Sequence, residues 1–181
     1  MLEIIAELIV DIALYVRSRT GSCSISVNRM AAHVDPRLFL HANCSVQMIS
    51  PASYRHMHLP VEQAMARRIE PFGVHHCGDN THRIAPVYAE LPLDYLEVGW
   101  GSDVAACRQA VPGVFLNLRL SPVRLLQATP HQVAADVEAL LKAAGPLERV
   151  GLCCINMDHG TPDDNLWAMF DVVRRYRRYG G

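Results

Sequence analysis

Hydrophobic and polar positions change their spacing along the chain. Over residues 2–17 the apolar positions Leu2, Ile4, Ile5, Leu8, Ile9 and Ile12 surround a narrow polar stripe, Glu3, Glu7 and Asp11, spaced by four. That period predicts an amphipathic helix with most of its surface in need of cover. Beyond it, short apolar runs alternate with helical patterns. Ser24 to Val27 reads as a short strand, and Leu38 to Met48 as an extended segment. Ser50-Pro51 opens a helical stretch, and Pro60 starts a fresh helix to about Arg68. Residues 73–77 form the next strand, after which Asp79 or Asn80 caps a helix over 81–91. Leu93 to Val98 is strand, Asp103 caps a helix over 104–110, and Val114 to Leu118 is strand again. Thr129-Pro130-His131-Gln132 is a capping box whose helix stops at Gly145. Arg149 to Ile155 is strand, and Thr161-Pro162-Asp163-Asp164 opens the last helix, to about Tyr176.

Strand–helix alternation with short connections predicts an α/β fold with a parallel sheet. The strands are short and mostly apolar, as expected when both faces are covered. The 181 residues fit one domain. They hold about five or six strand–helix periods, and a closed eight-stranded barrel takes about 200 to 250 residues.

Composition narrows the function classes. Half the residues are hydrophobic and the formal net charge is -1, so neither a nucleic-acid nor a membrane partner is expected. The cluster Arg174, Arg175, Arg177 and Arg178 closes a predicted helix, where cations suit the C-terminal dipole. The first fifteen residues carry an acidic stripe, unlike a secretory signal. Six clustered cysteines read as reduced thiols of a cytoplasmic protein.

The candidate chemistry centres on Gly73-Val-His-His-Cys-Gly78. In a strand, alternate side chains share a face, so His75 and Cys77 point one way and His76 the other. An imidazole and a thiol one pleat apart, just before a glycine turn, can reach one metal ion. The strand carrying Cys153 and Cys154 is the candidate source of a third ligand, and adjacent strand residues face opposite sides, so only one of the two qualifies. Cys23, Cys44 and Cys107 read as small buried apolar residues. His33, His41, His56, His58, His82 and His131 lack ligand spacing. Among the polar residues at strand ends, Glu97 and Asp158 are the candidate catalytic residues: Glu97 lies in an otherwise apolar strand, and Asp158 lies just past the cysteine pair, placed to support a metal ligand.

Five motifs occur in an order that resembles the uroporphyrinogen decarboxylase superfamily: Ile49-Ser50-Pro51-x-x-Tyr54, His75-x-Cys77-Gly78, Asp94-Tyr95-Leu96, Leu120-Ser121-Pro122 and Thr161-Pro162-x-x-Asn165. The resemblance implies a TIM barrel, with this chain as its C-terminal portion: a single domain over 1–181 lacking the N-terminal part of the barrel. It also implies an enzyme, either a decarboxylase of haem synthesis or a zinc-dependent methyltransferase working with a corrinoid protein. In the methyltransferase branch a His-x-Cys on one strand and a Cys on a later strand bind zinc. His75 and Cys77 match the first pair, and Cys154 is favoured over Cys153 as the later ligand, being nearer the strand end. The expected reaction is methyl transfer between a corrinoid and a thiol. The alternatives are decarboxylation of a tetrapyrrole and an inactive barrel fragment. Open sheet edges and the apolar first helix predict self-association or a missing N-terminal half.

Overall fold

A computed structural model describes residues 1–23 and 34–179, so the expected strand at 24–27 lies outside the described residues. The chain forms α1 (Leu2–Thr20), β1 (Phe39–Asn43), a 3-10 turn (Val46–Met48), α2 (Pro51–Met57), α3 (Leu59–Arg68), β2 (Phe72–His76), α4 (Thr81–Tyr88), β3 (Tyr95–Val98), α5 (Val104–Ala110), β4 (Phe115–Leu120), α6 (Pro122–Gln127), α7 (Pro130–Ala144), β5 (Val150–Cys154) and α8 (Asp163–Tyr179). The extended segment expected over 38–48 is shorter than the sequence suggests, and its second half turns. The helix α6 has no counterpart in the sequence reading, although Ser121 caps it by accepting from the Arg124 N–H.

All strand pairs are parallel, and their spatial order, β1-β2-β3-β4-β5, is the chain order. Sequential order has a direct consequence. Parallel crossovers are right-handed, so connections that all step the same way place their helices on one face of the sheet. A doubly wound sheet would instead reverse its order at a switch point. The arrangement is that of a partial (β/α) barrel, in which one face meets the helices and the other lines the interior.

The helix-facing side holds the main core. Val74, Leu96, Val98, Leu116 and Leu118 pack there with Tyr54, Tyr88, Ile84 and Val104. Truncating Leu116 or Leu118 to Ala would cost about 2–5 kcal/mol. The opposite face carries a small apolar cluster of Leu38, Leu40 and Tyr95, with Val34 and Phe115 packed against it, low on the strands. The Tyr95 and Phe115 rings stack at 5.4 Å. Its upper part is polar, and there the candidate chemistry sits.

Several of the motif residues hold the scaffold. Ser50 caps α2 through the Ser53 N–H, Asp103 caps α5 through the Ala106 N–H, and Thr129 with Gln132 forms the expected capping box. The Asp94 carboxylate accepts from the Phe72 N–H at 3.0 Å. Buried Asn165 donates to the carbonyls of Leu125 and Ala128, at 2.7 and 2.8 Å, tying α8 to the end of α6. α1 buries Ala6, Val10 and Ala13, and Arg68 of α3 pairs with its Asp11 at 2.6 Å. Its other apolar side, Ile4, Ile5, Leu8, Ile12 and Tyr15, is exposed. Among the described residues no helix is long and apolar enough to cross a membrane.

Candidate metal centre

Alternation in β2 sends His75 to the interior face and His76 to the helix layer. The parallel register then places Glu97 of β3 beside His75, Asn117 of β4 beside Glu97, and Cys153 of β5 beside Arg119. Five polar groups, His75, Glu97, Asn117, Arg119 and Cys153, thus line one face of adjacent strands with no help from loops.

His75 is the centre of the constellation. Its Nδ1 is 2.8 Å from Glu97 Oε2, and its Nε2 is 2.9 Å from Cys77 Sγ. His75 and Glu97 are both buried. Arg119, also buried, brings Nε to 3.5 Å of Glu97 Oε1 and Nη1 to 3.9 Å of Cys77 Sγ. A carboxylate, a guanidinium and an imidazole–thiol pair thereby compensate one another, as buried charges must. Burial disfavours the charged imidazole, yet the Glu97 hydrogen bond and charge outweigh it and hold His75 above the usual histidine value. Burial likewise disfavours the Cys77 thiolate, and His75 overrides it, holding the thiol below its usual value. Thiols lowered by a neighbouring imidazole are the kind that serve as nucleophiles or metal ligands, in contrast to inert cysteines of an apolar core.

The two cysteines of β5 part company. Cys153 faces the interior: Asn117 Nδ2 donates to its sulfur at 3.2 Å, and its Sγ lies 3.9 Å from Glu97 Oε1. Cys154 pairs with Leu120 and packs in the apolar cluster under α7 and α8. The structure therefore brings Cys153, not the favoured Cys154, to the face that holds His75. Burial, and then the Glu97 charge, push the Cys153 thiol up to about 12. Asp158, expected to support a ligand, sits on an exposed loop. Its carboxylate accepts from the Gly160 N–H at 2.9 Å and meets His159 Nδ1 at 3.1 Å. It is a loop residue outside the Cys44, His75 and Cys77 group of ligand atoms.

Two further residues join the group, Arg119, which carries no expectation from the sequence, and Cys44, which is expected to be structural. Arg119 is a cation in a mostly apolar strand that also carries Asn117, a signal of the same kind as that of Glu97. Cys44, read as a buried apolar residue, is instead exposed, and its sulfur belongs to a group with His75 and Cys77 whose ligand atoms all lie within 4.8 Å of one another. Cys23 and Cys107 are buried.

The donor set fits a zinc-type ion. One imidazole nitrogen and thiolate sulfurs are the ligands such an ion takes, at about 2.0–2.1 and 2.3 Å. Donors around one tetrahedral ion at those lengths stand about 3.3–3.8 Å apart, so the present group needs shifts of about an ångström. His75 turns its other nitrogen to Glu97, the carboxylate–histidine arrangement that fixes the ring of a metal ligand. The same chain of atoms, Glu97–His75–Cys77, also has the order in which an oriented base activates a thiol.

The family model described as uroporphyrinogen decarboxylase (URO-D) matches residues 23–176. The chain belongs to the uroporphyrinogen decarboxylase family. The family match covers every strand and the whole cluster. A methyltransferase from Methanosarcina mazei has the same fold, with a TM-score of 0.61 and 18% sequence identity. The similarity covers 77% of this chain and 42% of that one, so the chain spans under half the length of this relative. No curated protein matches the chain in sequence.

Proposed function

We propose that the chain carries the metal-binding part of a zinc-dependent methyltransferase of the uroporphyrinogen decarboxylase family, acting in methyl transfer between a corrinoid and a small-molecule thiol. The observation that carries this reading is the Glu97–His75–Cys77 array, with a nitrogen and a sulfur donor side by side and a carboxylate behind the imidazole. The fold shared with a methyltransferase supports it. His75 and Cys77 would hold the ion, Glu97 would orient His75, and Arg119 would balance the charge of the Glu97 carboxylate and the Cys77 sulfur. Zinc, when bound, lowers the pKa of a substrate thiol and holds it as the nucleophilic thiolate. Burial of His75 and Glu97 keeps bulk water from the imidazole. The corrinoid is a reactant presented by a partner protein, and the rest of the barrel is expected to be needed for full turnover.

The test is spectroscopic. The zinc-loaded chain is mixed with methylcobalamin and 2-mercaptoethanol, and loss of the methyl–cobalt bond is followed by absorbance. Zinc-dependent demethylation that Cys77→Ser removes supports the reading. Equal rates with and without zinc, or metal-independent decarboxylation of a tetrapyrrole carboxylate, would overturn it.

A further inference from the structure

We infer that Cys44 is the third protein ligand of the metal, in place of the later-strand cysteine that the family resemblance points to. This rests on the metal reading above and specifies its donor set. Three independent features bring Cys44 in. First, parallel register pairs Asn43 with His76, so one step further along both strands Cys44 comes beside Cys77. Secondly, Cys44 Sγ lies within 4.8 Å of the ligand atoms of both His75 and Cys77, and among the described residues these three form the group that meets that spacing.

Thirdly, the loops bearing the two cysteines are locked together where only glycine fits. Gly78, with φ +95°, follows Cys77, and a Cβ there would stand 3.1 Å from the Cβ of Gln47 in the 3-10 turn after Cys44. A Cβ on Gly99 would stand 1.8 Å from the Gly78 carbonyl oxygen. Asn80 adds a bond from Nδ2 to the Gln47 carbonyl at 3.3 Å. Its side chain is thus diverted from the helix-capping role expected of it, since its Oδ1 meets His76 Nε2 at 2.9 Å. The contacts fix the two thiol-bearing turns against one another.

Cys153 is engaged differently. Its sulfur accepts from Asn117 and stands across the Glu97 carboxylate from the His75 ring. With Cys44, His75 and Cys77 as donors, the ligand set comes wholly from the ends of β1 and β2. Arg119, Asn117 and Cys153, on β4 and β5, are left to face the substrate.

Cobalt(II) reports the number of thiolates through its sulfur-to-metal charge-transfer absorption. The full chain is loaded with cobalt(II) under reducing conditions, as wild type, Cys44→Ser and Cys153→Ser. Zinc affinity is measured in parallel by competition with a chromophoric chelator. With two thiolates bound, Cys44→Ser should reduce the charge-transfer band to about half and weaken zinc binding by more than the roughly 10–100-fold that a supporting residue costs. Cys153→Ser should leave the band at its wild-type intensity. A band halved by Cys153→Ser and untouched by Cys44→Ser would overturn the assignment while leaving the proposed function in place. A wild-type chain that binds neither metal would overturn both. Cys44 is exposed, so circular dichroism of Cys44→Ser should match wild type and separate ligand loss from misfolding.

Discussion

His75 and His76 are neighbours in one strand and live in opposite chemistries. His75 faces the barrel interior, where a carboxylate holds one ring nitrogen and a thiol meets the other. His76 faces the helix layer, where both ring nitrogens are taken by neutral groups, Tyr88 OH at 2.8 Å and Asn80 Oδ1 at 2.9 Å. Burial pushes His76 down to about 4. Close by, Glu62 is buried with Asn43 at 3.0 Å and a short hydrogen bond from Tyr54 OH, and burial raises it to about 7. Both faces therefore bury polar groups. The helix-facing network closes on itself, as buried polar groups must if they only hold a fold. The interior group ends in sulfur atoms beside an imidazole, a donor set that an ion can complete. Burial of titratable residues does not by itself mark a functional site; the kind of atoms that converge does.

The sharpest way to break this comparison is to remove one sulfur. Cys77→Ser should lower zinc affinity by well over 100-fold, beyond the roughly 10–100-fold of a supporting residue, in chelator competition. Its thermal unfolding should stay close to wild type. Comparable zinc binding in the variant would mean that the interior group is structural, like its counterpart across the sheet.

The helix-facing network should show itself through pH. Glu62 is raised above its unfolded value of 4.5, to about 7. A native state that holds this proton loses stability as pH rises through that window, by up to about 3 kcal/mol. His41 and His76 are both lowered to about 4, so they act the other way and cost stability as pH falls below about 6.5. Subtracting the denaturant stability of Glu62→Gln from that of wild type isolates the Glu62 part, which should decline from about pH 4.5 to 7. A flat difference would contradict the burial assigned to that carboxylate.

Glu97→Gln probes the support behind His75. It should weaken zinc binding about 10–100-fold while keeping the stoichiometry, because the donors remain. Full retention of affinity would remove Glu97 from the site. Least is expected of Cys154→Ser, on the helix-facing side: metal affinity unchanged and, as for modest changes at partly buried sites, about 1 kcal/mol of stability lost in urea.

Much of this arrangement was legible in the residues. Period-2 alternation alone separates His75 and Cys77 from His76, and an acid in an apolar strand singled out Glu97. The capping box at Thr129 and the Asp103 cap mark their helices at the observed starts. What escaped depended on register between strands. Cys44 meets Cys77 only because β1 and β2 pair with Asn43 opposite His76, and no local pattern encodes that pairing. Which of Cys153 and Cys154 faces inward depends on register in the same way: it is decided by the Arg119–Cys153 pairing, and proximity to a strand end says nothing about it. The short helix α6 was hidden by its length, with Ser121-Pro122 as its one local signal. Asp158 is the converse case, a charge near the cysteines in sequence whose carboxylate is engaged within its own loop.

Zinc K-edge X-ray absorption on the zinc-loaded chain tests the central claim most directly, because it counts the sulfur and nitrogen atoms around the ion. The expected shell holds at least one histidine nitrogen and two sulfurs, at about 2.0–2.1 and 2.3 Å, and gains one further sulfur when a small thiol is added. A shell of oxygen and nitrogen alone, or one that a thiol leaves unchanged, would contradict thiol activation at the His75–Cys77 centre.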